Sequence, residues 1–303
     1  MDAHELGRVG GPQMNLLGKI RVFLEMIKFS HTIFALPFAF TGALLAARGL
    51  PTPNQALWIF LAMVGARTAA MGLNRLIDAE IDGRNPRTRG RAIPAGLLSK
   101  GLVAVFIIFS LALMLFAARM LNPLCLYLSP VALFFLVLYS YCKRFTAMAH
   151  LVLGLCLAAA PLGAWIAITG TVELPAVLLA LAVLLWVAGF DILYALQDLE
   201  FDRTSGLHSI PVRLGVTGSL WTARIFHLLM IGLLAALFFA LHLGPYYLAG
   251  LAATVILTAY EHWLLRDGDL TRLDAAFFNM NGYISVTVLV FTLLEILFYR
   301  GAA

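Results

Sequence analysis

The sequence predicts an all-α integral membrane protein, a bundle of about nine transmembrane helices with two Asp-rich motifs at its cytoplasmic face. Three observations predict it. Of 303 residues, 62% are hydrophobic and only 12% charged, a balance far more apolar than a soluble domain needs. The apolar residues fall into runs that match the roughly 20 residues a spanning helix requires. The basic residues outside those runs concentrate in alternate loops.

The runs lie near 22–48, 54–78, 99–118, 121–141, 147–169, 174–197, 217–241, 245–265 and 276–298. Residues 1–21 are polar and Gly-rich, and residues 22–299 read as one polytopic domain. The first run is long and lacks a small-residue cleavage site, which argues against a removable signal peptide. His31 and Pro37 in that run read as a packing histidine and a helix kink. The second run carries Arg67 and Asn74 and enters an acidic loop at 79–98. The third and fourth lead to a short basic loop at 142–146. The fifth holds His150, read as a packing residue, and a kinking Pro161. The sixth carries Asp191 into a second acidic loop at 198–216. His227 and His262, in the seventh and eighth, again read as packing residues, and 267–277 reads as a solvated turn before the ninth run.

With nine spans, the N-terminus and the loops near 79–98, 142–146, 198–216 and 266–275 share one side and carry fourteen Lys and Arg; the other side carries three. The positive-inside rule then places the N-terminus and these loops in the cytoplasm. The net charge of +5 suits basic loops beside anionic lipid or an anionic substrate, and nucleic acid is a poor partner for such a chain. The three cysteines form no CxxC pair, so neither a disulfide framework nor a zinc site is expected.

The stretch GLNRLIDAEIDGRNPRTRGRAIPAG, residues 72–96, concentrates charge beside an apolar helix. Arg67, Asn74, Asp78 and Asp82 are spaced 7, 4 and 4 residues apart, so on a helix they share one stripe. Asp191, Asp198 and Asp202 repeat the 7 and 4 spacing at the end of the sixth run. Glu80 and Glu200 point away from their stripes and read as solvated charges. Asp191 lies about two turns inside an apolar helix, where an ionisable group is costly and marks a functional candidate. Facing stripes of like charge are stable when cations fill them. Oxygen-only ligands suit a hard ion such as Mg²⁺, which binds through one or two carboxylates plus substrate phosphates.

These motifs resemble those of the UbiA-type membrane aromatic prenyltransferases, the 4-hydroxybenzoate polyprenyltransferase-like family. The family's Asn-Asp-x-x-Asp-x-x-x-Asp reads here as Asn74-Arg75-x-x-Asp78-x-x-x-Asp82. Its Arg-Thr-x-x-Arg-Pro-x-Pro-x-Gly reads as Arg87-Thr88-x-x-Arg91-Ala92-x-Pro94-x-Gly96. Its second Asp-x-x-x-Asp reads as Asp198 and Asp202, with Asp191 upstream and Gly206-Leu207-His208-Ser209 in place of Gly-x-Lys-Ser. Its Tyr-x-x-x-Lys-Arg-x-Thr reads as Tyr139, Lys143, Arg144 and Thr146. Arg75 stands where the family has an acid, Ala92 where it has a proline, and His208 trades a fixed charge for a conditional one.

The resemblance implies transfer of a polyprenyl group from polyprenyl diphosphate to an aromatic hydroxy acid. The acceptor is 4-hydroxybenzoate first, or a dihydroxynaphthoate as in menaquinone biosynthesis. It implies Mg²⁺ on Asn74, Asp78, Asp82, Asp198 and Asp202. Arg67, Lys143 and Arg144 would add positive charge to the leaving group, Asp191 would hold the acceptor's phenol, and Arg87, Arg91 and His208 would contribute to substrate binding. The rival reading is a secondary transporter with the acids as ion sites. A transporter places its binding groups near the midplane, whereas these acids gather at one face beside basic loops.

Overall fold

The computed structural model describes residues 15–27, 36–265 and 280–300, and every regular element among them is helical. In chain order these are α1 (Leu16–Met26), α2 (Leu36–Ala47), α3 (Pro53–Ile77), α4 (Ala79–Arg84), α5 (Lys100–Leu121), α6 (Pro123–Cys142), α7 (Ala149–Thr169), α8 (Leu174–Ala195), a 3₁₀ turn (Leu196–Asp198), α9 (Leu199–Thr204), α10 (Ile210–Leu241), α11 (Pro245–Leu264), α12 (Asn281–Leu294) and a π turn (Glu295–Arg300).

Seven helices among the described residues are long and apolar enough to cross a membrane: α3, α5, α6, α7, α8 with its continuation, α10, and α12 with its continuation. The expected span 245–265 coincides with α11, which is helical for 20 residues but carries polar and ionisable side chains such as Glu261 and His262. The expected span 22–48 meets α1 and the shorter α2, with residues 28–35 outside the described residues. His31 and the stretch 267–277 also lie outside them. Pro37 lies in α2 at the edge of the described residues, so the kink expected there lies outside them. Pro161 lies inside α7 as expected, and Pro130 inside α6.

Helix starts follow their capping chemistry. Thr52 forms a capping box with Gln55 on α3; Ser99, Asn122 and Ser209 accept from Leu102, Cys125 and Val212 at the starts of α5, α6 and α10. The expected seventh span began at 217, but α10 begins at Ile210 and is interrupted at Gly215, where φ 68 and ψ −174 suit glycine alone.

Large apolar side chains such as Ile108, Phe109, Leu228 and Phe239 face outward, as a lipid-facing surface requires. Inside, α7 and α8 approach to backbone contact at Gly154, where a Cβ would meet the Leu184 carbonyl oxygen at 2.4 Å. Small residues permit such close crossings in a bilayer, where packing replaces the hydrophobic effect. His227 donates to or accepts from His262 across α10 and α11 at 3.0 Å, and its other ring nitrogen lies 3.2 Å from the Trp186 carbonyl of α8, so both histidines do join helices.

Candidate active site

The first acidic motif lies where α3 ends. Asp78 leaves the helix (φ −88, ψ 2) and α4 restarts at Ala79, so the stripe runs over two short-coupled helices and not one continuous one. Backbone bonds still carry the register: Asp78 N–H donates to Asn74 (2.9 Å) and Asp82 N–H to Asp78 (2.8 Å). Asp78 and Asp82 are almost fully buried, at 2% and 4% exposure. Asn74 donates from Nδ2 to Asp78 Oδ2 at 3.0 Å while Arg75 donates to Asn74 Oδ1 at 3.1 Å. Arg91 holds Asp82 with both carboxylate oxygens at 2.7 Å.

Asn-Pro then ends α4. A residue before proline is pushed to extended backbone, and Asn85 has φ −83 and ψ 120. Pro86 has no N–H, so the Asn85 side chain accepts from Arg87 N–H at 2.9 Å in an Asx turn. Its amide donates across to Asp198 Oδ1 at 2.9 Å.

The second motif departs further from a stripe. α8 ends at Ala195, a 3₁₀ turn covers Leu196–Asp198 and α9 comes next. Three residues at about 120° rather than about 100° rotate the succeeding helix by roughly 60°, so Asp198 lies roughly 40° and Asp202 roughly 80° round from Asp191. Gly206 closes α9 in the left-handed region (φ 66), and Leu207 N–H donates to the Asp202 carbonyl at 2.9 Å in a Schellman closure. Arg87 donates from Nε to Asp198 Oδ1 at 2.8 Å, pairs from Nη2 with Oδ2, and lies over the Tyr194 ring. Burial alone would weaken the Arg87 charge, but the bond to Asp198 holds its pKa above the ordinary arginine value. Asn85 and Arg87 thus join the two motifs that the sequence places far apart.

The third motif, Tyr139 to Thr146, brings its cations to the first. Lys143 Nζ lies 2.8 Å from Asp78 Oδ2. Arg144 Nη2 is 3.0 Å from Asp78 Oδ1, but its N–H is directed to the Ile77 carbonyl, and Nη1 donates to the Ser140 carbonyl. Arg144 therefore closes the C-termini of α3 and α6, and Asp78 Oδ1 is left buried without an aligned hydrogen bond. His208 has an exposed side chain; its backbone N–H donates to the Lys143 carbonyl at 2.7 Å. Glu80 and Glu200 are exposed and pair with Lys100 and Arg203 at 3.7 and 3.4 Å, in line with solvated charges.

Asp191 is bound by His150, whose Nδ1 lies 2.7 Å from Asp191 Oδ2. The packing role expected for His150 is thus incomplete. Sequence does not single out Asn85, although its Asn-Pro dipeptide is a usable signal, and it reads His150 only as a packing residue.

A cavity of about 490 Å³ is lined by α3, α5, α6, α7 and α8 and reaches Met71, Tyr139 and Leu153, three or four residues along the chain from Asn74, Lys143 and His150 respectively. From Met71 to Ile59 its wall follows about 18 Å of α3, at about 1.5 Å per residue. The lining is mostly apolar, with Phe135, Leu157 and Leu184 among it, while Arg67, Ser129 and Tyr139 are its polar members. Arg67 Nε is buried and has no hydrogen-bond partner among the described residues. No three His, Cys, Asp or Glu residues form a ready-made metal cluster among the described residues.

The model of the UbiA prenyltransferase family matches residues 35–283. A 4-hydroxybenzoate octaprenyltransferase from Vibrio cholerae is 30% identical over 285 residues, covering 92% of this chain and 98% of that protein. Among solved structures, a UbiA homologue from Aeropyrum pernix K1 superposes with a TM-score of 0.81 at 33% identity, over 88% of this chain and 98% of its own. A UbiA homologue from Archaeoglobus fulgidus, bound to DMAPP and Mg²⁺, shares the fold at 20% identity with a TM-score of 0.65, over 88% and 99% of the two chains.

Proposed function

The chain belongs to the UbiA prenyltransferase family and is a membrane prenyltransferase, and from that premise we propose that it transfers a polyprenyl group from polyprenyl diphosphate to an aromatic hydroxy acid. The observation that supports this reading is the junction of Asn85 and Arg87 with Asp198, which joins the two acidic motifs near a long apolar cavity whose lining ends within about a turn of Asn74 and Lys143. Such a cavity suits a prenyl tail whose charged head stays among the acids and cations. The acceptor is 4-hydroxybenzoate, as in the name of the Vibrio relative, with a dihydroxynaphthoate second.

The residues fit Mg²⁺. Asn74, Asp78, Asp82, Asp198 and Asp202 offer only hard oxygen donors, and the buried Asp78 Oδ1 lacks an aligned partner. Mg²⁺ binds through few carboxylates and takes its remaining ligands from phosphate and water, so a three-carboxylate cluster is not required. When bound, Mg²⁺ would neutralise the charge developing on the departing pyrophosphate.

The chain's own residues supply the rest. Arg91 and Arg87 would exchange Asp82 and Asp198 for phosphate oxygens, which guanidinium groups match with paired hydrogen bonds. Lys143, already at Asp78, adds a point charge beside the leaving group. Arg67, with its unpartnered Nε on the cavity wall, suits an anionic substrate group. The allylic C–O bond breaks and pyrophosphate leaves with the electron pair. The ring carbon beside the phenol oxygen attacks the allylic cation, a C–C bond forms, and the ring loses a proton. Asp191 holds the phenol. The segments 79–98 and 198–209 cover the head group and exclude water that would quench the cation. We place the protein in the cell inner membrane with the N-terminus and these segments cytoplasmic, on the fourteen-to-three charge asymmetry.

The test is an acceptor panel of 4-hydroxybenzoate, a dihydroxynaphthoate, homogentisate and a carboxyl-free phenol, each with geranyl diphosphate and Mg²⁺. The acids should be prenylated and the carboxyl-free phenol should be a poor acceptor. Equal use of the phenol would remove the anionic-acceptor part of the reading.

A further inference from the structure

Three helices meet at the His150 ring. His150 is the second residue of α7, is 4% exposed, and reaches Asp191 on α8 with Nδ1 at 2.7 Å. Its Nε2 accepts from the backbone N–H of Ile210, the first residue of α10, at a longer 3.4 Å. The first N–H groups of a helix have no partner inside it, so Ile210 is a donor in need of an acceptor.

This arrangement fixes the tautomer. A backbone N–H can only donate, so Nε2 must present its lone pair. A neutral imidazole has one ring N–H, which therefore sits on Nδ1 and donates to Asp191 Oδ2. Asp191 Oδ1 has no partner among the described residues, and the side chain is 18% exposed. One carboxylate oxygen is thus tied to His150, and the partly exposed side chain leaves the other for a further ligand. The same short segment is fastened a second time two residues earlier, where His208 N–H donates to the Lys143 carbonyl.

We propose that His150 is a positioning residue for the acceptor: locked in its Nδ1–H tautomer by the start of α10, it holds Asp191 so that Oδ1 faces the phenol. This rests on the prenyl-transfer reading given above for Asp191. His150 itself touches neither substrate and moves no proton; its one N–H is committed to Asp191 and its lone pair to Ile210.

The test uses the full chain in detergent with two substitutions. His150→Phe keeps a planar ring and loses both bonds. His150→Gln offers an amide N–H to Asp191 and an amide oxygen to Ile210. His150→Phe should lower kcat/KM for the acceptor roughly 10- to 100-fold, the range for losing a hydrogen bond to a charged group, and leave KM for geranyl diphosphate within about twofold. His150→Gln should recover most of the loss. Acceptor binding measured by calorimetry in the Asp191→Asn background should be nearly insensitive to His150→Phe, because residues acting through one contact are not additive. A parallel fall for both substrates, a Gln variant no better than Phe, or an undiminished loss in the Asp191→Asn background would each overturn the proposal. The ring ¹⁵N shifts of His150 give a readout that needs no turnover: protonated Nδ1 and bare Nε2 are expected, and the reverse assignment refutes the lock. If no acceptor is prenylated by the native chain, the functional reading fails while the tautomer is still decided.

Discussion

Replacing Gly154 by alanine sets two known effects against each other. Alanine in place of glycine within a helix should gain up to about 1 kcal/mol. Here the new Cβ would lie 2.4 Å from the Leu184 carbonyl oxygen, with Leu184 C and Cα at 3.1 and 3.2 Å. All three are backbone atoms, so no flexible side chain can yield. Restoring a contact of 3.0–3.4 Å requires α7 and α8 to part by about 0.6–1.0 Å. Overpacking of this kind costs about 1–3 kcal/mol, so the clash should win. A comparable parting one turn away would stretch the His150–Asp191 bond from 2.7 Å past normal hydrogen-bond length, and activity should fall with stability. Gly163 is the control on the same helix, since a Cβ there meets nothing within 4 Å; Gly163→Ala should be neutral or stabilised. Equilibrium unfolding in mixed micelles measures both. If Gly154→Ala is as stable as Gly163→Ala, the backbone contact does not set the helix spacing, and the link from packing to the site is wrong.

Other substitutions address the acids and their partners. Asp78→Asn and Asp198→Asn should each reduce turnover by at least about 100-fold with the bundle still folded, whereas Glu80→Gln, exposed and 3.7 Å from Lys100, should stay within about twofold of native activity; equal losses in a turnover assay would show that burial and pairing do not separate these acids. Asn85→Ala removes both the Asx turn and the link to Asp198, so kcat/KM for prenyl diphosphate should fall about tenfold, and an unchanged value would detach the junction from substrate binding. Orientation is best read from single cysteines at the exposed positions Arg89, Ser205 and Val172. Impermeant reagent should reach 89 and 205 from one side of the membrane and 172 from the other; labelling of 89 and 205 from opposite sides would contradict the joined-motif arrangement.

How far sequence reaches is clear from individual residues. Periodicity and hydropathy located the long helices because a bilayer imposes a length and an apolar surface on each. The motif spacings located Asp78, Asp82, Asp198 and Asp202, since the backbone register from Asn74 to Asp82 survives the break at Asp78. Periodicity could not foresee the 3₁₀ turn at Leu196–Asp198, which redirects the second set of acids. The early start of α10 was hidden because Gly215 interrupts the apolar pattern with a backbone reversal. Partners across the fold were not legible either. Asn85 meets Asp198 over 113 residues, and His150 meets Asp191 over 41; one sequence carries no register between distant helices. Sequence marks Arg87 and Arg91 as candidate substrate ligands but not the acids they pair with, Asp198 and Asp82, since those partners too are set by the fold.

The central claim is Mg²⁺-assisted joining of a prenyl chain to an aromatic acid at the junction of the two acidic motifs. The most direct measurement combines purified protein in lipid nanodiscs with geranyl diphosphate and 4-hydroxybenzoate, following pyrophosphate release and the mass of the aromatic product together. The account predicts one pyrophosphate per ring-prenylated product, both requiring the two substrates, both lost on chelation of divalent metal and both restored by Mg²⁺. Pyrophosphate release that proceeds without an aromatic acceptor, or a prenylated product formed at full rate in the presence of chelator, would contradict it.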